Sequence, residues 1–174
     1  MRATVAAEAL RAAVERGAPY QAELAAAKSF GADANATAAL EPFAAEGIPS
    51  ATMLGRELAG LLPALQRASE PEASNGSLLG RLEAHAQRLV RITPIDAAAA
   101  PAGDDPSSLI ARINSDAVHG DIAAALADVA RLPDAAHTLD ASWVKKAEAR
   151  EAAIAASRRI AADALVALSK PASQ

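Results

Sequence analysis

The chain has no cysteine and few aromatic residues: one tryptophan, one tyrosine and two phenylalanines among 174 positions. The first absence excludes a disulfide frame and any thiolate site, and leaves the compartment open. The second excludes a core filled by large rings. Long apolar runs are also missing. No segment approaches the roughly 20 apolar residues needed to span a bilayer. The opening MRATVAAEAL carries Glu8 and reads as a helix, not a signal peptide, so any membrane anchor or export signal is expected outside this chain. Positive charge is not in excess. Seventeen Lys and Arg against 21 Asp and Glu leave a net −4, which argues against general nucleic-acid affinity. No glycine-rich phosphate loop and no nucleophile elbow occur; GRELAG at 55–60 lacks both the lysine and the context. Strand patterns are essentially absent.

Apolar residues make up 52% of the chain, and alanine supplies most of them. Alanine is the strongest helix former and contributes little area to a core. The core is therefore expected to be thin, with helices in close contact and larger residues spaced along seams. Leu10, Val14, Leu24, Phe30, Leu40, Phe43, Leu58, Leu61, Leu65, Leu82, Leu89, Ile110, Ile113, Leu126, Val129, Trp143 and Ile154 are the expected anchors. Modest stability follows, helped by self-association or by segments outside the chain. A length of 174 residues suits one domain. We expect it over 1–170, with N-terminal helices over 1–68, a flexible loop at 69–77, further helices over 78–170 and a tail at 171–174. The expected class is all-α: an irregular bundle of short helical hairpins, partly solenoid-like, with one long C-terminal helix.

Local signals place the elements. Residues 4–16 carry helical spacing, Gly17 stops that helix, and Pro19 opens another that runs to about Phe30 before Gly31. Residues 32–47 hold one or two short helices, interrupted near Pro42 and closed by Gly47. Ser50 caps a helix from about 51 that Gly60 and Pro63 should bend or split. Two polar breaks follow, SEPEASNGS at 69–77 and TPIDAAAAPAGDD at 93–105, and between them Ser77 caps a helix over about 78–91. Asp105-Pro106 is a helix start. That helix turns at His119-Gly120, where Gly120 permits a left-handed residue and Asp121 can cap the return helix. Pro133 breaks the return helix, 134–139 forms a short turn of helix, and Asp140 or Ser142 caps a last helix over about 142–169.

Few constellations carry chemistry. His85, His119 and His137 each lack a second ligand at helical spacing, so no metal site is expected. Asp104-Asp105 reads as loop polarity and an N-cap before a pair of acid–base carboxylates. The helix at 78–91 sets leucines on one side and Arg81, His85, Arg88 and Arg91 on another. Such a helix can lie on an anionic membrane surface; the plainer reading is a bundle helix with a solvated basic face. The last helix carries a net +2, and Ala147, Ile154, Ala161 and Leu168 recur every seven residues. That seam can pack within the domain or zip against another copy. Trp143 suits a core anchor, and tryptophan is also enriched at interface hot spots. Arg150 lies on the same helix.

The run from about 105 to 150 resembles the C-terminal domain of the mitofilin family, inner-membrane organising proteins of mitochondrial cristae with relatives in alphaproteobacteria. Gly120, Asp121, Ala125, Leu126, Leu132, Ala136, Trp143, Ala147 and Arg150 carry the match. Upstream, Ser77, Leu82, Leu89, Val90, Arg91 and Pro94 resemble the bacterial segment in which a leucine-rich helix leads into Leu-Val-Arg-x-x-Pro, and LRAAVERGAPYQAEL also looks like the bacterial branch. Two positions depart: Val144 stands where the family has leucine after the tryptophan, and His137 stands where it tends to arginine. The resemblance implies a domain that follows a transmembrane helix and a coiled coil, and that faces the periplasm or the intermembrane space.

The expected function is accordingly a non-enzymatic scaffold domain with no cofactor and no nucleic-acid partner. It would act by homo-oligomer formation, by contact of Arg81, His85, Arg88 and Arg91 with an anionic membrane surface, and by contact with outer-membrane or envelope proteins. Trp143, Ala147, Arg150, Ile154, Ala161 and Leu168 are the candidate self-association or partner residues. The alternative is a tetratricopeptide-like helical adaptor that binds protein partners only.

Overall fold

A computed structural model describes residues 1–69 and 103–169. Within these residues the protein is all-α, with seven α-helices, one 3-10 turn and no strand. In chain order the helices are α1 (Arg2–Arg16), α2 (Gln21–Ser29), α3 (Ala34–Ala38), α4 (Ala51–Ser69), α5 (Pro106–His119), α6 (Ile122–Val129) and α7 (Asp134–Ser169), with the 3-10 turn at Glu41–Phe43. The chain divides into two compact units. One joins Met1–Gly55 to Ser142–Gln174; the other is Arg56–Ala141. The boundaries fall inside α4 and α7.

The first unit is built around a corner. Gly17 adopts φ 70° and its N–H bonds to the Val14 carbonyl, ending α1. Gly47 has φ 85°, and the stretch from Gly47 to Ser50 passes so close that a Cβ on Gly17 would lie 2.7 Å from the Ile48 carbonyl oxygen. Only glycine fits both demands. Tyr20 follows at once. Its ring is fully buried, its hydroxyl donates to the Leu40 carbonyl at 2.8 Å, and its N–H donates to Ala44 O at 2.9 Å. Burial pushes the phenol up to about 12, which keeps it a neutral donor. Leu10, Val14, Tyr20, Leu24, Leu40, Ile48, Ile154 and Ile160 share one core, and Ala7, Ala13, Ala27, Ala36, Ala153 and Ala161 fill it between them. Alanines thus hold core positions, as the composition suggested. Tyr20, Ile48 and Ile160 were not among the expected anchors, whereas Phe30 is 48% exposed.

In the second unit, α5 and α6 form a hairpin at the expected corner. Gly120 has φ 75°, the Asp121 N–H bonds to Asp116 O, and the Asp121 carboxylate accepts the Ala124 N–H at 3.0 Å. Asp105 caps α5 by accepting the Ser108 N–H, with Pro106 at the first helical position. Leu109, Ile113 and Ala117 of α5 are buried, as are Ile122, Ala125 and Val129 of α6. Ile110 and Leu126, the expected anchors, are only half-buried. Arg112 of α5 grips Asp128 with two nitrogens, Nε at 2.8 Å and Nη2 at 3.1 Å, and donates Nη1 to Gly103 O at 2.6 Å. The guanidinium holds the Asp128 carboxyl below its ordinary value. Arg131 pairs with Asp128 and with Asp104.

Two helices differ from expectation. First, α4 runs unbroken through Gly60 and Pro63. Proline at 63 removes a bond to the carbonyl of Ala59, but Ala59, Gly60 and Pro63 are all exposed, so water can satisfy that carbonyl. Second, α7 starts at Asp134, not near 142. Asp140 does not cap it. Instead Asp140 lies inside the helix and is 1% exposed.

Candidate functional site

The long helix α7 carries every described residue proposed for partner contact. Its buried positions include Ala136, Asp140, Trp143, Ala147, Arg150, Ile154, Ser157 and Ala161, which step by four and three in strict alternation. This is a full a/d seam, and it is used inside the chain. The expected seam of Ala147, Ile154, Ala161 and Leu168 is half of it. The first three are at most 8% exposed, so they are not open to a second copy; Leu168 alone is, at 49%. Trp143 is likewise a core residue: its indole N–H donates to the Leu54 carbonyl at 2.9 Å. The other half of the stripe was hidden by its polar members, Arg150 and Ser157.

Arg150 is a buried clamp rather than a contact residue. Its Nη1 donates to Pro49 O at 3.0 Å and its Nη2 to Glu15 O at 3.3 Å. Glu15 belongs to the last turn of α1, whose unpaired carbonyls favour a cation. One guanidinium thus ties α7 both to the end of α1 and to the link before α4. Burial lowers its pKa from the ordinary 12.5, which leaves it charged at neutral pH.

One turn before Trp143, the Asp140 carboxylate has an oxygen, Oδ2, without a hydrogen bond. His137 Nδ1 stands 3.7 Å from it, beyond hydrogen-bond reach. Burial raises the Asp140 pKa, and His137 opposes that rise. His119 is spent locally, with Nδ1 2.7 Å from Ser115 O of its own helix. No group of three His, Cys, Asp or Glu suited to a metal ion occurs among the described residues.

Opposite the seam, α7 leaves a continuous outer face. From Glu148 onward it presents Glu148, Ala152, Ala155, Arg158, Arg159, Ala162, Leu165 and Val166 to solvent, with Glu151 half-exposed at its edge. Leu165 and Val166 are 52% and 54% exposed. Beside the end of this helix lies an open recess of about 290 Å³, floored by Ala7, Ala27 and Ile160 and edged by Phe30, Asp33 and Asp163. Asp33 already uses Oδ1 to cap α3, and alanine walls offer no directional contacts.

Arg81, His85, Arg88 and Arg91 lie outside the described residues. Among the described residues no helix is long and apolar enough to cross a membrane. No family model, no curated protein and no solved structure matches the chain.

Proposed function

We propose that the chain is a non-enzymatic scaffold domain of an inner-membrane-organising protein, akin to the C-terminal domain of the mitofilin family. It acts on the periplasmic or intermembrane-space side, by self-association and by contact with the membrane surface and envelope partners. One observation carries this reading. Of the nine residues between 105 and 150 that bear the resemblance, eight support the local fold: Gly120 and Asp121 make the α5–α6 corner, Ala125, Leu132, Ala136, Trp143 and Ala147 are buried, and Arg150 is the clamp, while Leu126 is half-buried. A likeness confined to chance alanines would not select them. The long helix then offers outward surface beyond what its core needs.

The test is sedimentation with anionic liposomes. Binding should fall as salt rises, and Arg88→Glu with Arg91→Glu should remove it. Binding indifferent to both changes would strike out the membrane part. A protein-only adaptor is the second reading, favoured by the two helix–glycine–helix corners at Gly17 and Gly120. Retention of an envelope protein by a chain with no lipid affinity would favour it.

A further inference from the structure

The outer face of α7 has an order along its length. Acids come first (Glu148, Glu151), then small residues (Ala152, Ala155), then bases (Arg158, Arg159), then exposed Leu165 and Val166. Such an order does not match itself in parallel, where acid meets acid. It matches itself when the second helix runs the other way. We propose that this face docks on the same face of a second copy, antiparallel, about a two-fold axis beside Ala155, with Glu151 of each copy opposite Arg159 of the other.

Several observations favour this occupant. Glu148 and Glu151 form no salt bridge among the described residues. The arginines are weakly engaged: Arg158 reaches Glu15 only at 3.5 Å and Arg159 reaches Asp163 only at 3.8 Å, and both are about two-thirds exposed. Ala152 and Ala155 at the crossing let two helix axes approach closely. In this register Glu151 and Arg159 are each four residues from the axis, about 6 Å along the helix, so both ion pairs form together. The contact is isologous and closes on itself, as a two-fold dimer requires. A lipid surface would not select this face, because its acids and bases nearly balance.

The inference rests on the scaffold reading only in requiring self-association. The test is sedimentation equilibrium of the whole chain from low micromolar to submillimolar concentration. The wild type should form a dimer. Glu148→Lys with Glu151→Lys, and separately Arg158→Glu with Arg159→Glu, should each weaken dimerisation about tenfold or more, since like charges then face one another. Circular dichroism should show unchanged helicity. Mixing the two variants should restore a heterodimer, because each altered pair again joins opposite charges. That rescue separates direct pairing from damage to the fold. A wild type that self-associates while ignoring the swaps, or swaps that fail to rescue each other, overturns this interface and leaves the scaffold reading standing. A chain that stays monomeric throughout overturns the interface, and the liposome test then decides the remaining part of the reading.

Discussion

Trp143 and Leu54 are 89 residues apart in sequence and joined by one hydrogen bond, from the indole N–H to the Leu54 carbonyl at 2.9 Å. Leu54 lies in the first turn of α4 and Trp143 in α7, and both side chains are buried. In a core where alanine is the commonest buried residue among the described residues, this one ring supplies an unusual share of the apolar area. Trp143→Ala should cost about 3–5 kcal/mol, and Trp143→Phe, which keeps an aromatic ring but loses the donor and some volume, about 1–3 kcal/mol. Urea unfolding followed by far-UV circular dichroism checks both. The native fluorescence of the wild type should shift to the red on unfolding. A Trp143→Ala chain as stable as the wild type would return the residue to the surface role that its chemistry also allows.

Gly31 and Gly47 offer a matched comparison. Both have φ 85°, so alanine is strained at either. A Cβ at Gly31 would meet nothing within 4 Å, whereas one at Gly47 would collide with the Gly17 carbonyl oxygen and the backbone of Ala18. Gly31→Ala should therefore cost about 1 kcal/mol, and Gly47→Ala several times more, because backbone must move. Equal losses in thermal unfolding of the two variants would show that the close approach of the Gly17 and Gly47 turns carries no energy.

These corners were legible in the sequence because their signals are local. Gly17, Gly47, Gly120, Asp121 and Asp105-Pro106 each determine a cap or turn through their own backbone chemistry. What could not be read depends on the surroundings. Asp140 favours a helix start by intrinsic preference, but it sits mid-helix, and α7 gained eight residues at its N-terminal end as a result. Pro63 reads as a breaker, yet it lies on a solvated face where the lost bond is tolerated. The sevenfold spacing of Ala147, Ile154 and Ala161 was visible. Its direction was not, because spacing alone does not say whether the neighbour is the same chain or another. The positions that settle it, Arg150 and Ser157, are polar and were not counted with the stripe. The basic stripe from Arg81 to Arg91 lies outside the described residues and stays an expectation.

Asp128 and Asp140 are two partly or fully buried carboxylates with opposite shifts. Asp128 is held below the ordinary 3.8, chiefly by its hydrogen bonds from Arg112. A lowered folded pKa contributes stability that is present above the unfolded value and is lost as pH falls through the folded one. Asp128→Asn should therefore cost about 1–3 kcal/mol at pH 7, and its deficit should shrink in acid. Asp140 is raised above 3.8, chiefly by burial. For a raised carboxyl the sign reverses. The folded state holds the proton more tightly, so the cost of ionising it is absent below the unfolded value, grows as pH climbs through the folded one, and then stays constant. Asp140→Asn removes that cost and should stabilise the chain at pH 7 by about 1 kcal/mol, with the gain fading in acid. Urea midpoints for the wild type and both variants at neutral and acidic pH give the comparison. Stability changes of the same sign at neutral pH would refute it, since one carboxylate is paired by an arginine and the other leaves an oxygen without a hydrogen bond.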